Sequence, residues 1–134
     1  MADTVTEPDV RASEDALLAA LQQVLAVAPF RTMTTPSGHA MSVRLSNCGQ
    51  LGWVSDASGY RYRREDPLTG QPWPALPDLF LQLASAAATA AGYHDFLPDT
   101  GLINSYAPGA RMSLHQDRNE RDFRQPIVSV SLGL

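Results

Sequence analysis

The sequence contains no lysine; its ten basic residues are all arginines. It contains one cysteine, Cys48, which excludes an internal disulfide framework and a multi-cysteine zinc site. No apolar run approaches the ~20 residues that a membrane helix needs. The opening Met1-Ala2-Asp3-Thr4-Val5 lacks a basic segment followed by an apolar core, so no secretory signal is expected. These absences point away from membranes and disulfide-forming compartments, and cytoplasmic placement is expected. What is present is ordinary globular composition. The 134 residues are 44% hydrophobic and 18% charged, which fits one folded domain and not a disordered chain.

The net charge of −4 is concentrated at one end. Asp3, Glu7, Asp9, Glu14 and Asp15 face only Arg11 across the first fifteen residues, and the remainder sums to zero. The arginines cluster as Arg61, Arg63, Arg64 and as Arg111, Arg118, Arg121, Arg124. A guanidinium fork binds two phosphate oxygens at once, so these clusters leave a nucleic-acid partner open despite the acidic total.

Residues 1–12 are polar and aperiodic, and they are expected to form a mobile acidic terminus. The folded domain should then run over 13–134. Ser13 reads as an N-cap, with Glu14 and Asp15 in the first turn. Leu17, Leu18, Leu21, Val24 and Leu25 predict an amphipathic helix over 14–27, ended by Pro29. Residues 30–48 read as extended, with Met41, Val43 and Leu45 alternating against polar neighbours. Residues 49–75, rich in Gly, Pro and aromatics, predict a long loop region with a short hairpin. Pro77 and Gly92 bracket a second helix over 77–91, whose alanines allow close packing on a sheet. Strand-like segments follow at 102–106, 112–115 and 127–134. Helices first and strands after predict an α+β fold.

The sharpest local feature is His115-Gln116-Asp117. Donors at i and i+2 of an extended segment project to one side. Imidazole with carboxylate suits Fe(II), and equally Mn(II), Co(II) or Zn(II).

Around this pair lies Leu102-Ile103-Asn104-Ser105-Tyr106-Ala107-Pro108-Gly109, then Arg111-Met112-Ser113-Leu114 and the strand from Pro126. With Pro29-Phe30-Arg31-Thr32-Met33, Asn47-Cys48-Gly49, Leu51-Gly52-Trp53, Gly59-Tyr60 and Pro72-Trp73-Pro74-Ala75, the run resembles the AlkB family of Fe(II)- and 2-oxoglutarate-dependent dioxygenases, close to its bacterial members. The resemblance spans roughly residues 29–134. It implies oxidative dealkylation of N-alkylated bases in single- or double-stranded DNA, with RNA as a further substrate. It implies His115 and Asp117 as two iron ligands. It implies Leu102, Asn104 and Tyr106 around 2-oxoglutarate, and Trp53, Tyr60, Arg61 and Tyr62 at the substrate. Thr35, Pro36, Met41 and Arg111 match a substrate-facing lid or groove. Asn119 stands where the bacterial enzyme has an acid against the base, which puts base preference in question.

The resemblance also implies a double-stranded β-helix, or jelly-roll, with both helices outside. The family's second iron-ligating histidine and its 2-oxoglutarate-clamping arginines fall after the equivalent of Leu134. The chain is therefore expected to be an N-terminal portion, inactive alone, with an apolar inner sheet face uncovered, and monomeric when complete. The rival expectation is a catalytically dead nucleic-acid-binding or interaction module that needs no iron.

Overall fold

Alternation along the final strands decides how this chain is layered. The computed structural model describes residues 4–6, 14–106, 109–116 and 127–132. In chain order its elements are β1 (Thr4–Thr6), α1 (Glu14–Val27), β2 (Leu45–Gly49), β3 (Gly52–Asp56), β4 (Gly59–Arg63), α2 (Asp78–Ala90), β5 (Thr100–Ser105), β6 (Ala110–His115) and β7 (Ile127–Leu132). Five strands form one sheet in the order β1-β7-β6-β5-β2, and β3 pairs with β4 as a separate hairpin. Every pairing is antiparallel except that of β1 with β7.

One face of the five-stranded sheet is apolar. Cys48, Ile103, Met112, Leu114, Val128 and Val130 are fully buried there against Leu17, Leu21 and Val24 of α1 and Phe80, Ala84 and Ala88 of α2. The helix residues recur every three or four positions, which gives each helix a single apolar stripe. The alanines let α2 approach the strands closely, as their spacing predicted. α2 closes with a Schellman arrangement: Tyr93 N–H donates to Ala88 O at 2.8 Å and Gly92 N–H to Thr89 O at 3.0 Å. Gly92 sits at φ +93°, a conformation that suits glycine at this position.

The opposite face carries the other parity of each strand. Leu45, Asn104, Arg111 and Ser131 lie in register across it, as do Asn47, Leu102, Ser113 and Ser129. The expectation of an uncovered apolar inner face is therefore corrected. Both helices cover the apolar parity, so the face away from them presents mainly Asn, Arg, Ser and His. A second correction concerns the terminus. Within the stretch expected to be mobile, Thr4–Thr6 pairs with β7 in parallel, a long-range contact that local periodicity does not reveal. Ser13, the expected cap of α1, lies outside the described residues.

The expected strand alternation at Met41, Val43 and Leu45 gives way to a strand that starts only at Leu45. Leu45, Ser46, Asn47 and Cys48 are all buried, because β2 is covered on both faces. Its outer edge is closed as well: Arg31 and Leu45 exchange backbone hydrogen bonds of 3.1 and 2.9 Å, and Gly49 N–H donates to Pro74 O at 2.8 Å.

Burial pushes the Cys48 thiol up to about 12. A folded value raised above the ordinary one of 9.0 means stability that is intact below pH 9 and is lost as pH climbs toward 12. Cys48 should accordingly resist thiol reagents at pH 8 and react only as the chain unfolds. Labelling rates across a urea titration will check this, and fast labelling without urea would contradict it. Among the described residues no helix is long and apolar enough to cross a membrane.

Candidate functional site

The 49–75 region is built around one hairpin and one indole. Trp73 is buried, donates from Nε1 to Arg63 O at 3.0 Å, and lies 5.2 Å under the Arg31 guanidinium. Gly52 faces that indole so closely that a Cβ there would meet ring atoms at 2.2 Å. Only glycine lets β3 pass this ring. Arg31 also holds Asp66 through two hydrogen bonds of 2.6 and 2.7 Å, and donates from Nε to Pro29 O. Burial raises the Asp66 pKa, but the bonds from Arg31 and the Leu68 amide, with the Arg31 charge, outweigh it and hold the carboxyl below its ordinary value. The loop expected from composition is thus a pinned turn against the hairpin.

On the hairpin, Trp53 pairs with Tyr62 and Ser55 with Tyr60, so these four share one face. Trp53 and Tyr60 stack diagonally, centroids 5.5 Å apart and planes at 18°. Tyr62 reaches the main sheet: its hydroxyl lies 3.3 Å from His115 Nε2, and the two rings meet edge-on at 6.1 Å. His115 ends β6 on the polar face, opposite Thr100, and is half-buried. The expected base-contacting aromatics and the expected metal ligand therefore meet at one place.

Other expected residues gather nearby. Met41, Trp53 and Leu102 all pack on the small cluster of Ala28, Met33, Leu45, Val54 and Trp73. Asn104 lies beside Arg111 across β5 and β6, on the same face as His115. Thr35 sits in the 33–41 turn, where its Oγ1 accepts from His39 N–H and pairs with Ser37 Oγ at 2.9 Å. Ser55 Oγ donates to Thr34 O at 2.7 Å and ties that turn to the hairpin.

Two expected residues stand apart. Arg61 lies on the opposite hairpin face, where its guanidinium binds both oxygens of Asp56 at 2.7 and 2.8 Å. The hydrogen bond from Arg61, then that from the Ser58 amide, bring the Asp56 pKa down to about 2, so this pair stays charged across the working range. Tyr106 is half exposed just beyond β5, its amide donating to Gly109 O. Asp117, Asn119 and the arginines at 118, 121 and 124 lie outside the described residues.

For a metal, the described donor is the His115 imidazole, and a neutral imidazole suits a borderline divalent ion such as Fe(II). Next in the chain, the Oε1 of Gln116 is buried with no hydrogen-bond partner among the described residues. Among the described residues no three His, Cys, Asp or Glu side chains gather. No role was expected of Asn47, Ser55 or Asp66. The signal for Asn47 was there: an amide of low strand propensity flanked by buried strand positions.

The sequence model of the 2OG-Fe(II) oxygenase superfamily matches residues 5–134. The chain is 57% identical over 118 residues to the alpha-ketoglutarate-dependent dioxygenase AlkB of Escherichia coli, covering 88% of this chain and 55% of that protein. It is 59% identical over 111 residues to the AlkB of Salmonella typhimurium, covering 83% and 51%. To the AlkB homolog of Caulobacter vibrioides it is 47% identical over 123 residues, covering 92% and 52%. The chain spans about half the length of these curated relatives.

Proposed function

This chain belongs to the 2OG-Fe(II) oxygenase superfamily, and from that membership we propose that it serves oxidative dealkylation of N-alkylated bases in DNA, and in RNA as a second substrate class. The observation that carries the reading is the meeting of the Trp53–Tyr60–Tyr62 hairpin face with His115 over a polar sheet face. A base must leave its stack before such chemistry, and aromatic and imidazole rings can receive it. The names of the bacterial relatives, both alpha-ketoglutarate-dependent dioxygenases, support the same class.

In this reading His115 and Asp117 hold Fe(II), while Leu102, Asn104 and Tyr106 receive 2-oxoglutarate. Support comes from the shared face of Leu102, Asn104 and His115. Bound iron with 2-oxoglutarate supplies the dioxygen chemistry; the side chains supply position. Tyr62 fixes the His115 ring, and Trp53 and Tyr60 offer stacking surface, with Trp53 seated on the cluster of Met33, Val54 and Trp73. Arg111, exposed on the open face, is suited to a phosphate or carboxylate. Thr35 and Asn119 border the substrate. The five-stranded sheet, helices on one side and site on the other, is read as one wall of a jelly-roll. The protein is read as cytoplasmic and monomeric.

Succinate release from 2-oxoglutarate, compared with methylated DNA, methylated RNA and their unmethylated counterparts, tests the reading. Stimulation by the methylated strands is expected of a protein that spans the full length of these relatives, and no turnover is expected of residues 1–134 alone. Binding of these strands without any stimulated turnover would favour a binding module instead. Within this reading Trp53→Ala should weaken binding of a methylated single-stranded oligonucleotide about 10- to 100-fold, the range of ~1–3 kcal/mol for one aromatic–base stack. Fluorescence anisotropy will measure it, and unchanged affinity would remove Trp53 from the base site.

A further inference from the structure

The aromatic hairpin does not belong to the five-stranded sheet, so something must fix its height and angle over His115. The side chain of Asn47 does this. Asn47 is fully buried on β2, at the register position next to Leu102 on the site face. Its Nδ2 donates to Trp53 O at 2.9 Å, and its Oδ1 accepts from Trp53 N–H at 3.0 Å. One carboxamide thus meets both backbone groups of a single residue, as a neighbouring strand would.

This has a geometric consequence. In an antiparallel pair, residues alternate between those whose backbone groups face the partner strand and those whose groups face away. Both backbone groups of Trp53 are taken by Asn47, so they point away from β4. Trp53 and Tyr62 then form a pair without mutual backbone hydrogen bonds, the kind in which side chains stand closest. The same amide therefore seats the hairpin on the sheet and points its ring-bearing face toward the site. Ser55, two residues along, makes the second tie through Thr34 O.

We propose that Asn47 is a positioning residue for base recognition, a side-chain stand-in for a β-strand that sets Trp53, and through it Tyr60 and Tyr62, against His115. The proposal rests on the nucleic-acid reading given above. Other residue types match the role poorly. Aspartate can accept from the Trp53 amide but places a carboxylate against its carbonyl. Serine is too short to reach both groups, and alanine leaves both buried and unpaired.

The test combines Asn47→Ala with Trp53→Ala in a double-mutant cycle. The probe is a single-stranded DNA oligonucleotide bearing one N-methylated adenine, and binding is read without turnover. Asn47→Ala should weaken binding about tenfold, matching the loss of one or two buried hydrogen bonds. Added to Trp53→Ala it should weaken binding no further, because its effect runs through Trp53. Hydrogen exchange gives a second readout: the Trp53 amide should exchange at least ~10-fold faster in Asn47→Ala, while Ile103 and Met112 stay protected in the sheet. Where Asn47→Ala fails to fold, Asn47→Asp keeps the volume and should show the same non-additive loss. Fully additive losses, or an unchanged Trp53 amide, would overturn the proposal. Failure of the wild-type protein to bind the oligonucleotide would instead sink the nucleic-acid reading, with amide exchange still deciding whether Asn47 holds the hairpin.

Discussion

His115→Ala should lower affinity for Fe(II), or for Mn(II) as a redox-stable substitute, by more than about 100-fold, since losing even an outer-shell partner of a metal ligand costs 10- to 100-fold. The fold should survive. His115 is half-buried at the end of β6, on the polar side of the sheet, and stands outside the apolar core packed against the helices. A substitution outside that core costs on the order of 1 kcal/mol, so the melting temperature should move by only a few degrees. Calorimetric titration with Mn(II), run beside thermal melts of both proteins, separates the two effects. Equal affinity in the two proteins would exclude His115 as a ligand. Parallel collapse of affinity and melting temperature would make its role structural.

The largest effect on stability is expected at Asp66. Its carboxylate is almost fully shielded from solvent, as is the Arg31 guanidinium it binds, and Asp66→Asn leaves that cation without its counter-charge. Breaking one side of a buried pair costs about 3–5 kcal/mol. Urea unfolding should therefore show a loss near 3 kcal/mol. The pH dependence has a defined sign. The folded pKa of Asp66 lies below the ordinary 3.8, so its contribution is present above about pH 4 and is lost as pH falls through the folded value. The acid limb of the stability curve should be shallower in Asp66→Asn than in the wild type. A loss under 1 kcal/mol, or an unchanged acid limb, would show that the pair contributes little.

The parts of this fold legible in the sequence were those written in local periodicity. α1 begins and ends where Glu14 and Val27 were expected, and α2 differs from its expected span by one residue at each end. The apolar parity of β6 and β7, with Met112, Leu114, Val128 and Val130, reports the core face directly. β1 was missed because its three residues gain a strand only through a partner more than a hundred positions away. β2 begins only at Leu45, although Met41 and Val43 keep the expected burial alternation against exposed Ser42 and Arg44. The candidate site divides in the same way. Trp53, Tyr60, Tyr62 and His115 were marked by residue type and resemblance. Asp66, which acts by closing a turn on Arg31, carried no pattern of its own, and Asn47, which acts by imitating a backbone, showed only as an amide of low strand propensity in a strand. Arg61, expected at the substrate, pairs with Asp56 on the other face of the hairpin.

The two-faced sheet also shapes how such a chain can change. Positions 102, 104, 111, 113 and 115 sit on one side of the pleat, and the residues between them carry the packing against the helices. A library that randomises only positions 104, 111, 113 and 115 explores new chemistry on the polar face while leaving both hydrophobic clusters unaltered. A shift of register by one residue exchanges the two sets at once and destroys both. Drift by substitution is therefore open to this scaffold, whereas single-residue insertions and deletions within these strands are closed to it.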